Sequence, residues 1–197
     1  MGDVRVIRAT PDHVPAIRAM VQAAYAKYVE RIGRPPAPML ANYDKILEEG
    51  KQEVWVLVLP RSTGDTPSTS HDSHGKAIAR QQQQERDPED QEDKRTTTSV
   101  ATAAVGSIIL APDPACNALK INNLVVDPGS QGRGYGRVLM GFAEELARTR
   151  GRDELTLFTN EMMWENVGLY TKLGFTETGR KVEDGYERVY FYKALGR

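Results

Sequence analysis

The run Gln131-Gly132-Arg133-Gly134-Tyr135-Gly136-Arg137 sets three glycines at alternate positions, after an apolar stretch that ends at Val126. A simple turn does not need that much backbone freedom. Residues without a Cβ let another molecule come close to the main chain. The first N–H groups of a helix have no intrahelical partner, and the helix dipole adds partial positive charge there. Arg133 and Arg137 add mobile positive charge at the rim. The chemistry that suits this loop is anion binding, with a diphosphate as the best fit. Two other phosphate loops are excluded by the letters. G-x-G-x-x-G fails because the sixth position from Gly132 is Arg137, and no Gly-Lys followed by Ser or Thr occurs. What remains is Q-x-x-G-x-G, filled by Gln131, Gly134 and Gly136. Taken alone, the same letters also fit a flexible strand-to-helix turn.

The elements around the loop decide how it is held. Val4 to Arg8 alternates apolar and charged residues as a half-buried strand does. Thr10 and Pro11 suit an N-cap and a first helical position. Val14, Ile17, Val21, Tyr25, Tyr28 and Ile32 then recur at helical spacing until Gly33. A second, shorter helix is expected from about Met39 to Glu49, and Glu53 to Leu59 reads as a strand. Two more strands, "VATAAVGSIIL" and "ALKINNLVV", are separated by "PDPACN". After the glycine loop, Val138, Leu139, Phe142 and Leu146 make one apolar stripe, with Gly151 as the residue beyond the helix end. "ELTLFTN" is a strand, "YTKLGF" closes a short helix at Gly174, and "GYERVYFYK" is the last strand. The sum is an α/β fold with one mixed sheet and helices on its faces.

Residues 61–98 are of another kind: polar, charged, with a four-Gln tract and Ile78 as the single large apolar residue. Such a segment cannot bury enough surface to offset its ordering entropy. It is expected to be a disordered insertion between two strands, within a single domain spanning 1–197.

Composition narrows the function. The 26 Lys and Arg nearly cancel the 27 Asp and Glu, for a net charge of -1, which does not suit a nucleic-acid binder. No apolar run is long enough to span a bilayer, and the first residues lack a secretory pattern, so a cytoplasmic protein with no membrane partner is expected. Cys116 is the single cysteine and there are three His, so no metal site is expected; Cys116 reads as a small half-buried residue.

The strand "NLVVDP", the Q-x-x-G-x-G loop and the long helix after it, followed by "ENVGLYTKLGFTETG", resemble the GNAT acetyltransferase superfamily. The resemblance covers everything except the insertion. It implies a mostly antiparallel central sheet and acetyl-CoA as co-substrate. Leu124, Val125 and Val126 would run beside the pantetheine arm. The amides of Gln131, Gly132, Arg133, Gly134, Tyr135, Gly136 and Arg137 would hold the pyrophosphate, and Asn166 would meet the cofactor near its pantetheine. Tyr170 would stand by the thioester sulfur as the general acid. Many family members carry Glu on the central strand where Asn122 and Asn123 stand here, and an amide cannot take the amine's proton. Glu161 is the alternative carboxylate, with Asp127 or a water chain also open. Tyr25, Tyr28, Arg31 and Tyr43 fall where relatives build the acceptor pocket, although Tyr25 and Tyr28 equally suit packing of the first helix. The implied activity is acetyl transfer to a primary amine, with a small-molecule acceptor. The alternatives are a protein N-acetyltransferase, an acyl-CoA-sensing module with weak catalysis, or a nucleotide-binding protein that shares only the loop. A homodimer would be ordinary for such a fold.

Overall fold

The computed structural model describes residues 4–60 and 102–196. The expected insertion at 61–98 lies outside the described residues.

Seven strands form one sheet in the order β1-β2-β3-β4-β5-β7-β6. They are β1 (Arg5–Arg8), β2 (Glu53–Pro60), β3 (Thr102–Pro112), β4 (Ala118–Val126), β5 (Glu154–Asn160), β6 (Thr176–Glu183) and β7 (Tyr186–Ala194). All neighbours pair antiparallel except β4 and β5. The mixed, mostly antiparallel sheet is therefore as expected.

The helices are α1 (Val14–Ile32), α2 (Ala37–Leu40), α3 (Tyr43–Glu49), α4 (Tyr135–Thr149) and α5 (Trp164–Lys172). On one face, Val14, Ile17 and Val21 of α1 pack with Tyr43 of α3 against Val54, Val56 and Val58. On the other, Leu139, Met140, Ala143 and Ala147 of α4 pack on Ile108, Leu110, Leu119 and Leu155. β2 thus alternates its side chains between the two layers, as its period of two requires.

Several expectations need correction. Thr10 and Pro11 lead into a short 3-10 turn, Pro11–His13, and α1 begins only at Val14. The helix expected from Met39 to Glu49 is two helices. Ala41 is extended, and Asn42 restarts the chain as an N-cap whose side chain accepts the Lys45 N–H at 3.1 Å. The buried stripe of α4 is rotated from the one expected: Val138 is 41% exposed while Met140, Ala143 and Ala147 are buried, since small residues allow close approach to the sheet. Strand β6 has no counterpart in the sequence reading. It is exposed along its length, so it carries no alternation. The turn to β7 has positive φ at both Asp184 (52°) and Gly185 (74°), the two-residue hairpin geometry that Asp-Gly favours. Cys116 is exposed in the β3–β4 turn rather than half-buried.

Candidate active site

β4 and β5 pair in parallel only from Ala118↔Glu154 to Ile121↔Leu157, although β4 runs on to Val126 and β5 to Asn160. Beyond Ile121 the strands separate, and the wedge between them opens the sheet. A β-bulge lies at the same point. Ile109 pairs with Asn123 and Leu110 with Ile121, so Asn122 is the extra residue. An extra residue reverses which side chains face which side. Leu119 and Ile121 pack with α4, whereas Val125, six and four residues further along the alternation, packs with α1. The bulge is what turns Asn123 toward α1. There the hydroxyl of Tyr25 donates to Asn123 Oδ1 at 2.7 Å. The Asn122 amide instead donates to Gln52 Oε1 at 2.8 Å.

Two cavities meet at this wedge. The larger, about 440 Å³, runs along the end of β4 and under the start of α4. Its walls include Leu124, Val125 and Val126, then Gln131, Gly132, Gly134, Tyr135, Gly136 and Arg137, with Asn166 and Tyr170 across from them. Of the residues expected to meet a cofactor, Arg133 is the one that does not line it. Gly132 and Gly134 have φ of +78° and +84°, a region that side chains other than glycine's seldom adopt. A Cβ on either would meet nothing within 4 Å. Their glycine character therefore follows from backbone conformation, and the open space above them is where a ligand has room. Among the described residues, no backbone carbonyl takes up the N–H groups of residues 132 to 136. Gln131 braces the loop by donating its side-chain amide to Val126 O at 3.1 Å. Unpaired N–H groups at the start of a helix, with Arg137 beside them, make a cradle for a diphosphate. The chain thus fits the group that the sequence pattern implies.

The smaller cavity, about 60 Å³, lies where the strands part, between Asn122–Leu124 of β4 and Phe158–Asn160 of β5. Pro36, Pro38, Tyr186 and Arg188 enclose it. The α1–α2 loop is fastened over it by Tyr186, whose hydroxyl donates to Pro35 O at 2.6 Å, and by Arg34, stacked on the Tyr186 ring at 3.5 Å. Tyr25, Leu124, Asn166 and Tyr170 line both cavities and form their junction.

Tyr170 is half-buried on α5, its ring 5.8 Å from Phe175 and 5.7 Å from Phe191. Burial, with a smaller contribution from Tyr28, pushes its phenol up to about 12, so it holds its proton through the neutral range. Burial raises Tyr25 as well, with Tyr170, Tyr43 and Tyr28 adding to it. Asn166 sits in the first turn of α5, where its N–H donates to Met163 O at 2.8 Å.

Other expected site residues stand elsewhere. Glu161 lies in the turn before α5 and is held in an ion pair with Arg180; it lines neither cavity. Arg31 donates to Met162 O at 3.1 Å and Glu165 Oε2 at 2.8 Å and stacks on Trp164 at 3.6 Å, which makes it a latch between α1 and α5. Trp164 itself is exposed. Tyr43 is a core residue, 2% exposed, with its hydroxyl donating to Pro38 O at 2.8 Å. Tyr28 is buried but does reach the wall of the larger cavity. Asp127 closes the turn after β4 by accepting the Ser130 N–H at 2.8 Å.

Sequence reading missed Phe158, Asn160, Tyr186 and Arg188, which the parting of β4 and β5 and the β6–β7 hairpin bring to the smaller cavity. Asp184-Gly185, flanked by residues able to alternate, was the available signal for that hairpin.

Residues 94–177 match the family model described as an acetyltransferase (GNAT) domain. The chain is 40% identical over 67 residues to peptidyl-lysine N-acetyltransferase YjaB from Escherichia coli (strain K12), a stretch covering 34% of this chain and 42% of that protein. It is 38% identical over 61 residues to streptothricin acetyltransferase from Streptomyces lavendulae, covering 31% of this chain and 32% of that protein. The matched stretches thus span less than half the length of these relatives. Among solved structures, an acetyltransferase of the GNAT family from Staphylococcus aureus superposes with a TM-score of 0.60 at 13% identity, covering 98% of this chain and 100% of that one. The parted strands, the glycine cradle and these likenesses together support a GNAT acetyltransferase domain in this chain, matched over residues 94–177.

Proposed function

We propose that the chain, working as a single domain over residues 1–197, moves an acetyl group from acetyl-CoA directly to the primary amine of a small molecule in the cytoplasm. The observation that carries this reading is the junction of the two cavities at Tyr25, Leu124, Asn166 and Tyr170. A donor along the larger cavity and an amine in the smaller would meet there, which is the proximity a direct transfer needs. Acetyl-CoA supplies an activated acyl carbon and a thiol leaving group. The N–H groups of residues 132 to 136 would hold its diphosphate. The strand edge of Leu124 to Val126 would pair with the amides of its pantetheine, and Asn166 would face them from α5. Tyr170, protonated at neutral pH, would give its proton to the departing thiolate.

Two measurements test this. Saturating acetyl-CoA or CoA should stabilise the protein by about 2.7 kcal/mol at a hundredfold excess over Kd, while NAD and ATP do not. Thiol release should then appear with an amine acceptor. Stabilisation by CoA forms without turnover would instead support a sensing module, and stabilisation by NAD or ATP alone would defeat the reading.

A further inference from the structure

We infer that the acceptor is a compact monoamine with an apolar, ring-sized body, and not a polyamine or other polycation. This rests on the acetyltransfer reading above and names the substrate class of its acceptor cavity.

The charge pattern carries the argument. Among the described residues, no carboxylate lines the smaller cavity, and its one charged member is Arg188. The Glu183 and Asp184 carboxylates that hold Arg188 are already engaged. Glu183 takes Arg188 at 2.6 Å and also Lys181 and the Tyr190 hydroxyl. Asp184 takes Arg188 at 2.8 Å. Lys181 and Arg34 bring further positive charge to the same hairpin. A second ammonium entering the cavity would lose hydration with no free anion on the described wall to replace it.

The remaining wall suits a neutral body. Phe158 and Tyr186 contribute aromatic carbon to the wall, although Arg188 lies over the Phe158 ring at 4.4 Å and Arg34 over the Tyr186 ring at 3.5 Å, and Ile121, Pro36 and Met163 offer aliphatic surface. A volume of about 60 Å³ holds roughly four to six waters, so the enclosed part of the occupant is small.

The same walls account for the Asn residues on β4. An amine must be neutral to attack, and desolvation favours the neutral form of an amine. The Tyr25 proton is committed to Asn123 Oδ1, so the phenol oxygen is left to accept an N–H from the amine and aim its lone pair toward the junction. The amine nitrogen bonds to the acyl carbon, the carbon–sulfur bond breaks, the sulfur gains a proton and the new amide loses one to solvent. No carboxylate base is required if the amine arrives uncharged.

The test compares benzylamine and 2-phenylethylamine with spermidine and kanamycin on the full chain, by thiol release from acetyl-CoA with mass confirmation of the product. Calorimetry of each amine against CoA-loaded protein gives a readout independent of turnover. The aryl monoamines should exceed the polycations in kcat/KM by roughly 100-fold or more, in line with the cost of an unpaired buried charge. Asn160→Asp adds a carboxylate to the wall while keeping the oxygen that accepts the Met162 N–H at 2.9 Å. It should move the ratio of spermidine to 2-phenylethylamine upward by about tenfold, and circular dichroism and acetyl-CoA binding would establish that the variant is folded. Polycations turned over as well as or better than the aryl amines overturn the inference and leave the acetyltransfer reading intact. So does acetyl-CoA binding with neither binding nor turnover of any aryl monoamine. Failure to bind acetyl-CoA at all defeats the acetyltransfer reading itself, and this inference with it.

Discussion

Tyr25 and Asn123, 98 positions apart in sequence, are joined by a 2.7 Å hydrogen bond that ties α1 to β4 just past its bulge. Asn123 is 8% exposed, so losing its partner leaves a nearly buried amide oxygen unsatisfied. Tyr25→Phe should cost about 1–3 kcal/mol of stability. On the proposed mechanism it should also lower kcat/KM for the amine by about tenfold or more, with acetyl-CoA affinity little changed. Equal losses on both substrates would show that the bond serves only the fold. A double-mutant cycle with Asn123→Ala should give a coupling of roughly 0.5–3 kcal/mol in denaturant melts.

Tyr170→Phe keeps the ring among Phe175 and Phe191 and removes the phenol proton. The expected result is a drop in kcat toward the lower end of about 10²–10⁴, because a thiolate leaves fairly well by itself. KM for acetyl-CoA should move much less. Wild-type kcat in the variant, with chemistry shown to be rate-limiting, would remove Tyr170 from the acid role. The folded phenol is raised to about 12 from its ordinary 10. Its contribution to stability is therefore full below about pH 10 and is lost as pH rises toward 12, which ultraviolet titration against thermal melts would detect.

The glycines of the cradle should separate by backbone geometry. Gly134 has φ of +84° with open space at its Cβ position. Gly134→Ala should therefore cost roughly 1–2 kcal/mol through strain rather than collision. Gly136, at a negative φ, would place a Cβ 4.0 Å from Val126 Cγ2, an ordinary contact, so Gly136→Ala should leave Tm nearly unchanged. Gly134→Val should abolish CoA binding in calorimetry while the domain stays folded. Retained affinity would mean that the diphosphate lies elsewhere.

Glu53 opens β2 and accepts from Arg150 of the α4 terminus at 2.6 Å and 3.0 Å and from Arg8 at 2.7 Å. The Arg150 hydrogen bonds hold its carboxyl below the ordinary range. A depressed folded pKa means that this stabilisation is present above the unfolded value of about 4.3 and is lost as pH falls below it. Glu53→Gln should cost about 1–2 kcal/mol at pH 7, and the gap from wild type should narrow in melts taken at pH 3. A gap that stays constant with pH would discount the charge.

Pro60 and Thr102 are register partners in the β2–β3 ladder, so the chain leaves and re-enters the sheet at neighbouring points. Replacing residues 62–94 with a short Gly-Ser turn should leave CoA affinity unchanged and favour folding by roughly 1–2 kcal/mol through loop closure. Insoluble protein or a large fall in Tm would show that the segment is structural.

The sequence by itself determined what depends on neighbours along the chain. The limits of β4 and β5, the end of α1 at Gly33 and the left-handed residues at Gly151 and Gly174 follow from periodicity and from the dihedral freedom of glycine. The glycine cradle was legible for the same reason, since its groups lie within seven consecutive residues. The tertiary structure decided what depends on pairing. One bulge residue, Asn122, sets which face Asn123 takes, and no local pattern encodes a register shift against another strand. Glu161, Arg31 and Tyr43 had suitable chemistry and sensible positions, yet Arg180, Glu165 and the carbonyl of Pro38 occupy them. Charged and polar groups near a cleft are claimed by whichever partner the fold brings within hydrogen-bond reach, and for Glu161 and Arg31 those partners, Arg180 and Glu165, come from other elements. For the same reason Phe158 and Arg188 became walls of the smaller cavity only once β4 and β5 parted and a hairpin that the sequence reading missed had closed beside them.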